Sequence, residues 1–353
     1  MEREKIAIYG LGNFYKCNED FLEGQFDIVF YIDRDKTGSY KGKPVYDPYT
    51  FGTKNISKII IMLSRFNEAL EVARLLHTES GISHECIKFG LDLAEKGSCR
   101  EFGFDGIKFT EDGNAKVQMN GFPCIVSSLD EYNNVQEVLV RGIYNYSINN
   151  HRKDIIFDIG MNIGDSVHYF LEKDRVEKIY AFEPFYETFN KAMKNLKKDM
   201  GKYPQRIECF QIGLSNVTEK RSVSYNTGMS CGMSTINSIT RKVTKDYYEK
   251  GYINDSAQNE TVMVKCASEV LRPLIEQYPD HNIILKMDCE GEEYPIMEDL
   301  DKSGLLGSFS LIMMEWHYSG KESLLEKLAR HGFSYFCSDE NKDMGAINAF
   351  KPV

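Results

Sequence analysis

The sequence has no C-x-x-C pair, no apolar run near the roughly 18 residues that cross a bilayer, and no excess of basic charge. Each absence excludes a class of protein. The nine cysteines, at 17, 86, 99, 124, 209, 231, 266, 289 and 337, are odd in number and scattered, which is the usage of a reduced compartment and not a disulfide framework. His84-Glu85-Cys86 groups three metal-ligating types, but no second cluster stands at ligand spacing, so no zinc site is expected. The opening MEREKIAIYG lacks an apolar segment before its first strand-like run; no membrane span is expected, and the expected location is the cytoplasm. A formal charge of −10 argues against a general binder of phosphate backbones, so nucleic acid is not an expected partner. No low-complexity tract interrupts the chain.

What is present is an ordinary soluble composition, 42% hydrophobic and 27% charged, over 353 residues, a length that favours two domains. The most informative stretch runs from Asp154 to Glu183, DIIFDIGMNIGDSVHYFLEKDRVEKIYAFE. Ile155-Ile156-Phe157 is continuously apolar, as a parallel strand buried on both faces should be. Gly160 and Gly164 bracket a turn in which the backbone can approach a ligand, and Asn162 and Asp165 can cap the helix that follows. The second strand ends in Glu183-Pro184, which puts a carboxylate where ribose hydroxyls are held.

The order Asp-x-Gly-x-Asn-x-Gly departs from the bare G-x-G-x-x-G that a pyrophosphate needs. A carboxylate at Asp158 repels that anion and suits the cationic methionine end of S-adenosylmethionine, so a methyl donor is favoured over a dinucleotide. Further on, strands and helices alternate as in α/β domains: a helix at 186–200, a strand at 206–212, a helix at 268–277 and a strand at 281–287. A helix at 292–300, a strand at 310–315, a helix at 321–330 and strands at 335–337 and 346–350 complete seven strands. Short β segments and a helix at 135–145 are placed ahead of this sheet as a cover for the cofactor. The polar stretch 215–265, with the run 228–234, is long for an α/β connection and reads equally as a lid or a surface hairpin.

The N-terminus reads as a smaller Rossmann-like unit: a strand at 5–9, the turn Gly10-Leu11-Gly12, and a strand at 27–32 ending in Asp33. Tyr15 stands where a third glycine belongs, which weakens dinucleotide binding there. The boundary is expected near residue 95, giving domains at 1–95 and 96–353.

A second constellation, Lys286-Met287-Asp288-Cys289-Glu290-Gly291-Glu292-Glu293, closes the fourth strand, and Glu315-Trp316-His317 closes the fifth. Both lie at the carboxyl edge of a parallel sheet, where ligands bind. Asp288, Glu290 and His317 are the expected catalytic groups, able to take a proton from a hydroxyl nucleophile. Glu292 and Glu293 are expected to complement a helix dipole. Asp288, Glu290 and Glu315 offer hard oxygen ligands of the kind Mg²⁺ takes, yet no metal is expected from the pattern.

DIGMNIGD at 158–165, AFEP at 181–184, QIGLSN at 211–216, KMDCEGEE at 286–293 and MEWH at 314–317 together resemble the FkbM family of S-adenosylmethionine-dependent methyltransferases. The resemblance covers roughly residues 100–353. It implies a class I methyltransferase fold with a seven-stranded sheet whose last strand is antiparallel, preceded here by the smaller α/β domain. It also implies methyl transfer to oxygen, commonly a sugar hydroxyl of a polysaccharide or glycosylated product. On this chain Asp158, Gly160, Asn162 and Gly164 would form the loop at the methionine end, Glu183 would hold the ribose, and Leu214 or Ser215 would lie near the adenine. Met161 stands where the family usually has alanine. The N-terminal unit looks like modules accompanying enzymes of surface-polysaccharide synthesis, with Gly10, Gly12 and Asp33 as nucleotide-binding candidates or assembly as its role. Two rival readings stay open, a nicotinamide-dependent sugar oxidoreductase using that turn and a non-catalytic binding protein; so does homo-oligomerisation.

Overall fold

A computed structural model describes residues 3–51, 56–91, 106–119, 122–226, 232–240, 245 and 257–351. The expected boundary stretch at 95–98 and the 228–231 part of the polar loop lie outside them. The chain forms two compact units, Met1–Asn133 and Asn134–Val353, dividing later than residue 95. The reason is that the short strands at 107–126 extend the first sheet and do not serve as a prelude to the second.

In the first unit the elements are β1 (Lys5–Tyr9), α1 (Asn13–Gln25), β2 (Asp27–Ile32), β3 (Gly38–Tyr40), β4 (Lys43–Tyr46), β5 (Lys58–Ile61) and α2 (Phe66–Thr78). β6 (Ile87–Phe89), β7 (Ile107–Phe109), β8 (Ala115–Met119) and β9 (Phe122–Val126) follow. The sheet order is β3-β4-β2-β1-β5-β6-β7-β8-β9. β2, β1, β5 and β6 are parallel neighbours, whereas β7 to β9 form an antiparallel meander. Tyr15 and Leu22 of α1 are fully buried against Ile6, Ile8 and Ile60, so the bulky side chain at the third-glycine position is a core residue.

The chain passes to the second unit within α3 (Leu129–Val135), continued by a π-helical segment at Gln136–Arg141 that Gly142 ends with φ 65°. The helix expected at 135–145 therefore starts earlier and stops sooner. Next come β10 (Asp154–Ile159), α4 (Asp165–Leu171), β11 (Val176–Phe182), α5 (Tyr186–Lys202), β12 (Ile207–Phe210), β13 (Gly213–Ser215), β14 (Glu219–Asn226) and β15 (Ala257–Cys266). The last are α6 (Ala267–Ile275), β16 (Asn282–Met287), α7 (Glu293–Lys302), β17 (Leu311–His317), α8 (Glu322–Arg330), β18 (Ser334–Asn341) and β19 (Met344–Phe350).

The second unit's main sheet runs β12-β11-β10-β16-β17-β19-β18. Counting its seven strands along the chain, the order is 3-2-1-4-5-7-6, with the seventh antiparallel to the fifth and sixth. This is the expected class I methyltransferase arrangement. Every residue of β10 and of β16 is buried, because both strands are central and covered on both faces, which is why they read as unbroken apolar runs. Chain order reverses between β10 and β16, and that switch point opens a crevice at the carboxyl ends. The polar stretch after β13 forms the antiparallel hairpin of β14 and β15, paired from Glu219 with Val264 to Asn226 with Ala257.

Candidate active site

One cavity of the second unit collects most of the expected residues. Gly160, Asn162, Glu183, Leu214, Asp288, Glu290 and His317 all line it, with Tyr144, Asp165, Lys286 and Glu315. Its floor is a close approach of two strand ends. Gly160 follows β10 with φ +79°, and its N–H and that of Met161 donate to the Phe182 carbonyl at 3.0 and 3.1 Å. A Cβ at Gly160 would stand 1.9 Å from the backbone oxygen of Asp288, so only glycine lets the turn after β10 touch the turn after β16.

Glu183 ends β11 and is 6% exposed. It accepts the Phe185 N–H at 3.1 Å. Burial pushes its carboxyl up to about 8, against the lowering effect of the Phe185 and Asn162 N–H groups and of Lys286; Glu260 adds to the rise. Burial likewise pushes Asp165, at the start of α4, up to about 7.

Asp158, Gly164 and Ser215 are not among the residues lining the cavity. Gly164 opens α4 against Leu196 of α5. Ser215 is fully buried and accepts a hydrogen bond from Arg221 at 3.2 Å. Asp158 is fully buried; its Oδ1 lies 3.1 Å from Lys286 Nζ, and its Oδ2 accepts the Ser166 hydroxyl at 2.6 Å. Lys286 also donates to the Gly160 carbonyl at 2.6 Å. Burial works against the ammonium charge, but Asp158 and Asp288 more than offset it and hold Lys286 protonated. The carboxylate read from sequence as facing a cationic donor is thus already matched by a lysine of the neighbouring strand.

The far side of the cavity is acidic. Glu293 begins α7, is fully buried, and accepts the N–H groups of Cys289 at 3.1 Å and Gly291 at 2.7 Å, together with a hydrogen bond from His317 Nδ1 at 3.0 Å. It therefore does more than complement a helix dipole. Glu292 is bound by Arg221 and by Thr235. Glu290 adopts φ +55° and accepts the Tyr318 hydroxyl at 3.2 Å; Asp288 lies 3.5 Å from the Tyr144 hydroxyl. Burial raises the Glu290 carboxyl, and Asp288 followed by burial pushes Glu315 up to about 9. Burial alone would lower His317, but Glu290, Glu293 and Asp288 push it up to about 11. That rise favours the imidazolium form at neutral pH, whereas a base needs the neutral ring.

In the first unit the Gly10-Leu11-Gly12 turn is occupied by its own chain. Asp33 Oδ2 accepts the Leu11 N–H at 2.7 Å, and Oδ1 accepts those of Asp35 and Lys36 at 3.0 Å each. Lys36 closes the loop on the Leu11 carbonyl at 2.6 Å. Asp33, a nucleotide-binding candidate from sequence, thus bonds to the turn itself.

Sequence reasoning had no local signal for the Lys286–Asp158 pair or for the role of Glu293. One cue was available: a lysine inside the buried run Asn282–Met287 demands a buried carboxylate nearby.

Among described residues no helix is long and apolar enough to cross a membrane. Among curated proteins, the AMB antimetabolite synthetase AmbE of Pseudomonas aeruginosa is 24% identical over 204 residues, 51% of this chain; the match spans only 9% of that relative's length. Among solved structures, methyltransferase FkbM from Methylobacillus flagellatus KT matches at a TM-score of 0.37 and 11% identity, over 99% of this chain and 90% of that one. TrmK of M. capricolum, solved with S-adenosyl-homocysteine, matches at 0.29 and 14%, over 63% and 67%. The strand order defines the fold independently of these superpositions. The family model described as the methyltransferase FkbM domain matches residues 158–335, half of the chain, and the chain belongs to that methyltransferase family.

Proposed function

We propose that the protein moves a methyl group from S-adenosylmethionine to a hydroxyl of a sugar, sugar-nucleotide or polysaccharide acceptor. The observation that carries this reading is the convergence, in one cavity, of a buried carboxylate at the end of the second strand with a set of carboxylates at the ends of the fourth and fifth. Gly160, Asn162 and Asp165 frame the methionine end, Glu183 takes the ribose hydroxyls, and Leu214 packs at the adenine. The acceptor oxygen attacks the sulfonium methyl in line; the new O–C bond forms as the S–C bond breaks, and the hydroxyl proton goes to Asp288 or Glu290. Alignment of the two reactants supplies much of the acceleration. The nicotinamide reading is disfavoured by the occupied turn around Asp33. That turn is a structural element.

Calorimetric titration with S-adenosylhomocysteine and, separately, with NAD⁺ tests the reading. Binding of the first alone supports it; binding of NAD⁺ alone overturns it. Glu183→Gln should weaken S-adenosylhomocysteine by on the order of tenfold at pH 9, because a neutral amide forms weaker hydrogen bonds to the ribose than a carboxylate does. At pH 6 wild-type Glu183 is itself protonated and the difference should shrink. Stability moves oppositely. Between the ordinary range near 4.5 and about 8 the folded protein holds a proton that the unfolded chain has released, so stability falls as pH rises through that window. Glu183→Gln should therefore melt above wild type at pH 8 and close to it at pH 5. Equal melting-temperature differences at the two pH values would contradict this.

Asp288→Ala should lower kcat by about 10²–10⁴-fold, the range for loss of a positioned acid or base, while leaving S-adenosylhomocysteine affinity within a few-fold. Unchanged turnover would remove Asp288 from the reaction.

A further inference from the structure

We propose that Asp288, Glu315 and His317 form a binding site for a hard divalent cation, Mg²⁺ or Mn²⁺, on which the acceptor seats two adjacent oxygens. The ends of two neighbouring parallel strands, β16 and β17, deliver these residues to one cavity, and one ligand atom from each lies within 4.8 Å of the others.

His317 provides a second, separate observation. Its side chain is 5% exposed, and its Nδ1 is bound by Glu293, which the Cys289 and Gly291 N–H groups hold in place. Nε2 lines the cavity side with no hydrogen-bond partner among the described residues, and its nearest acceptors, Glu290 Oε2 and Glu315 Oε2, are each 3.8 Å away. That is too long for a hydrogen bond. The three ligand atoms, within 4.8 Å of one another, stand wider than the roughly 3 Å between adjacent ligands of an octahedral ion with ~2.1 Å bonds, so binding would draw them inward. A histidine whose far nitrogen is fixed by a buried carboxylate is the usual way a protein orients an imidazole toward a metal.

Charge points the same way. Lys286 is committed to Asp158, and Arg221 to Glu219 and Glu292. Among described residues, Asp288, Glu290, Glu293 and Glu315 have no Lys or Arg ion pair and gather around His317 alone, an acidic setting that favours a cation over an anion. Two carboxylates and one imidazole, with positions left for substrate oxygens, suit Mg²⁺ or Mn²⁺ and not a thiolate-seeking metal.

The consequence for specificity rests on the methyltransferase reading: the acceptor carries vicinal oxygens, such as a sugar diol. A hydroxyl seated on the cation would be more acidic and would give its proton to Glu290 as its oxygen takes the methyl group and the thioether leaves.

The test is titration of the chelator-treated, full-length protein with Mn²⁺, reading free Mn²⁺ by electron paramagnetic resonance, with S-adenosylhomocysteine binding measured in parallel. Expected are one saturable Mn²⁺ per chain, displacement by Mg²⁺, and at least a tenfold loss of Mn²⁺ affinity in Glu315→Gln and in His317→Gln while S-adenosylhomocysteine still binds. Nitrogen hyperfine coupling on Mn²⁺ bound to the unmodified protein checks His317 ligation without any variant. No saturable Mn²⁺, no nitrogen coupling, or unchanged affinity in both folded variants overturns the site. S-adenosylhomocysteine binding without Mn²⁺ binding removes the metal site and leaves the methyltransferase reading; Mn²⁺ binding without S-adenosylhomocysteine binding removes the donor reading and leaves the metal site.

Discussion

Lys286→Met should destabilise the protein by about 3–5 kcal/mol, the range for removing one partner of a buried ion pair. Lys286 is 3% exposed at its side chain and Asp158 not at all. With the ammonium gone, the Asp158 carboxylate retains, among the described residues, only the Ser166 hydroxyl, in a setting where an unpaired charge is strongly penalised. The Gly160 carbonyl loses its hydrogen bond as well. Lys286→Met combined with Asp158→Asn removes both charges and should recover much of the loss, because no uncompensated ion remains. Urea unfolding of wild type, both single variants and the double variant closes this cycle. A cost below about 1 kcal/mol for Lys286→Met, or strict additivity in the double variant, would show that the pair does not hold the strands together. Even where stability recovers, S-adenosylhomocysteine affinity should stay low, since the lysine that ties Asp158 to the Gly160 turn is missing.

That pair also marks how far the sequence could be read. The Asp154–Ile159 strand, its glycine turn and the carboxylate at Glu183 form one local unit, and local patterning placed each of them correctly. The seven strands were legible for the same reason: buried parallel strands make apolar runs, and the intervening helices separate them. The partners of those residues were not legible. Asp158 and Lys286 are 128 positions apart, and their contact depends on β10 and β16 being neighbours, which no local period reveals. Glu293 looked like a helix-start acid because its contact with His317, 24 positions on, joins two different elements and leaves no local mark. The division after Asn133 was not legible for another reason: three short strands at 107–126 carry no mark of which sheet they join, and strand pairing decides it. In the N-terminal turn the glycines and the acid were read correctly as a Rossmann-like pattern, yet the acid's hydrogen-bonding capacity was already used within the loop.

Gly160→Ala should have an effect as large as Lys286→Met and reach the site directly. Holding alanine in the left-handed region costs about 1–2 kcal/mol. The added methyl also meets the Asp288 carbonyl oxygen at 1.9 Å, a backbone atom that cannot rotate away. Relief requires the turn after β10 and the turn after β16 to separate, which costs a further 1–3 kcal/mol or so on the scale of overpacked interiors. The turn after β10 frames the proposed donor site, and the turn after β16 carries Asp288 and Glu290. One methyl group should therefore weaken S-adenosylhomocysteine binding and lower turnover together, unlike Glu183→Gln, which acts on binding, or Asp288→Ala, which acts on turnover. Gly12→Ala is the matched control: that glycine opens α1 with φ −80°, and nothing lies within 4 Å of an added Cβ, so its cost should stay within about 1 kcal/mol. Thermal unfolding and calorimetry on the two variants separate the cases. Equal tolerance at both positions would mean that the two strand ends can part without loss, and the contact between them would no longer account for the glycine.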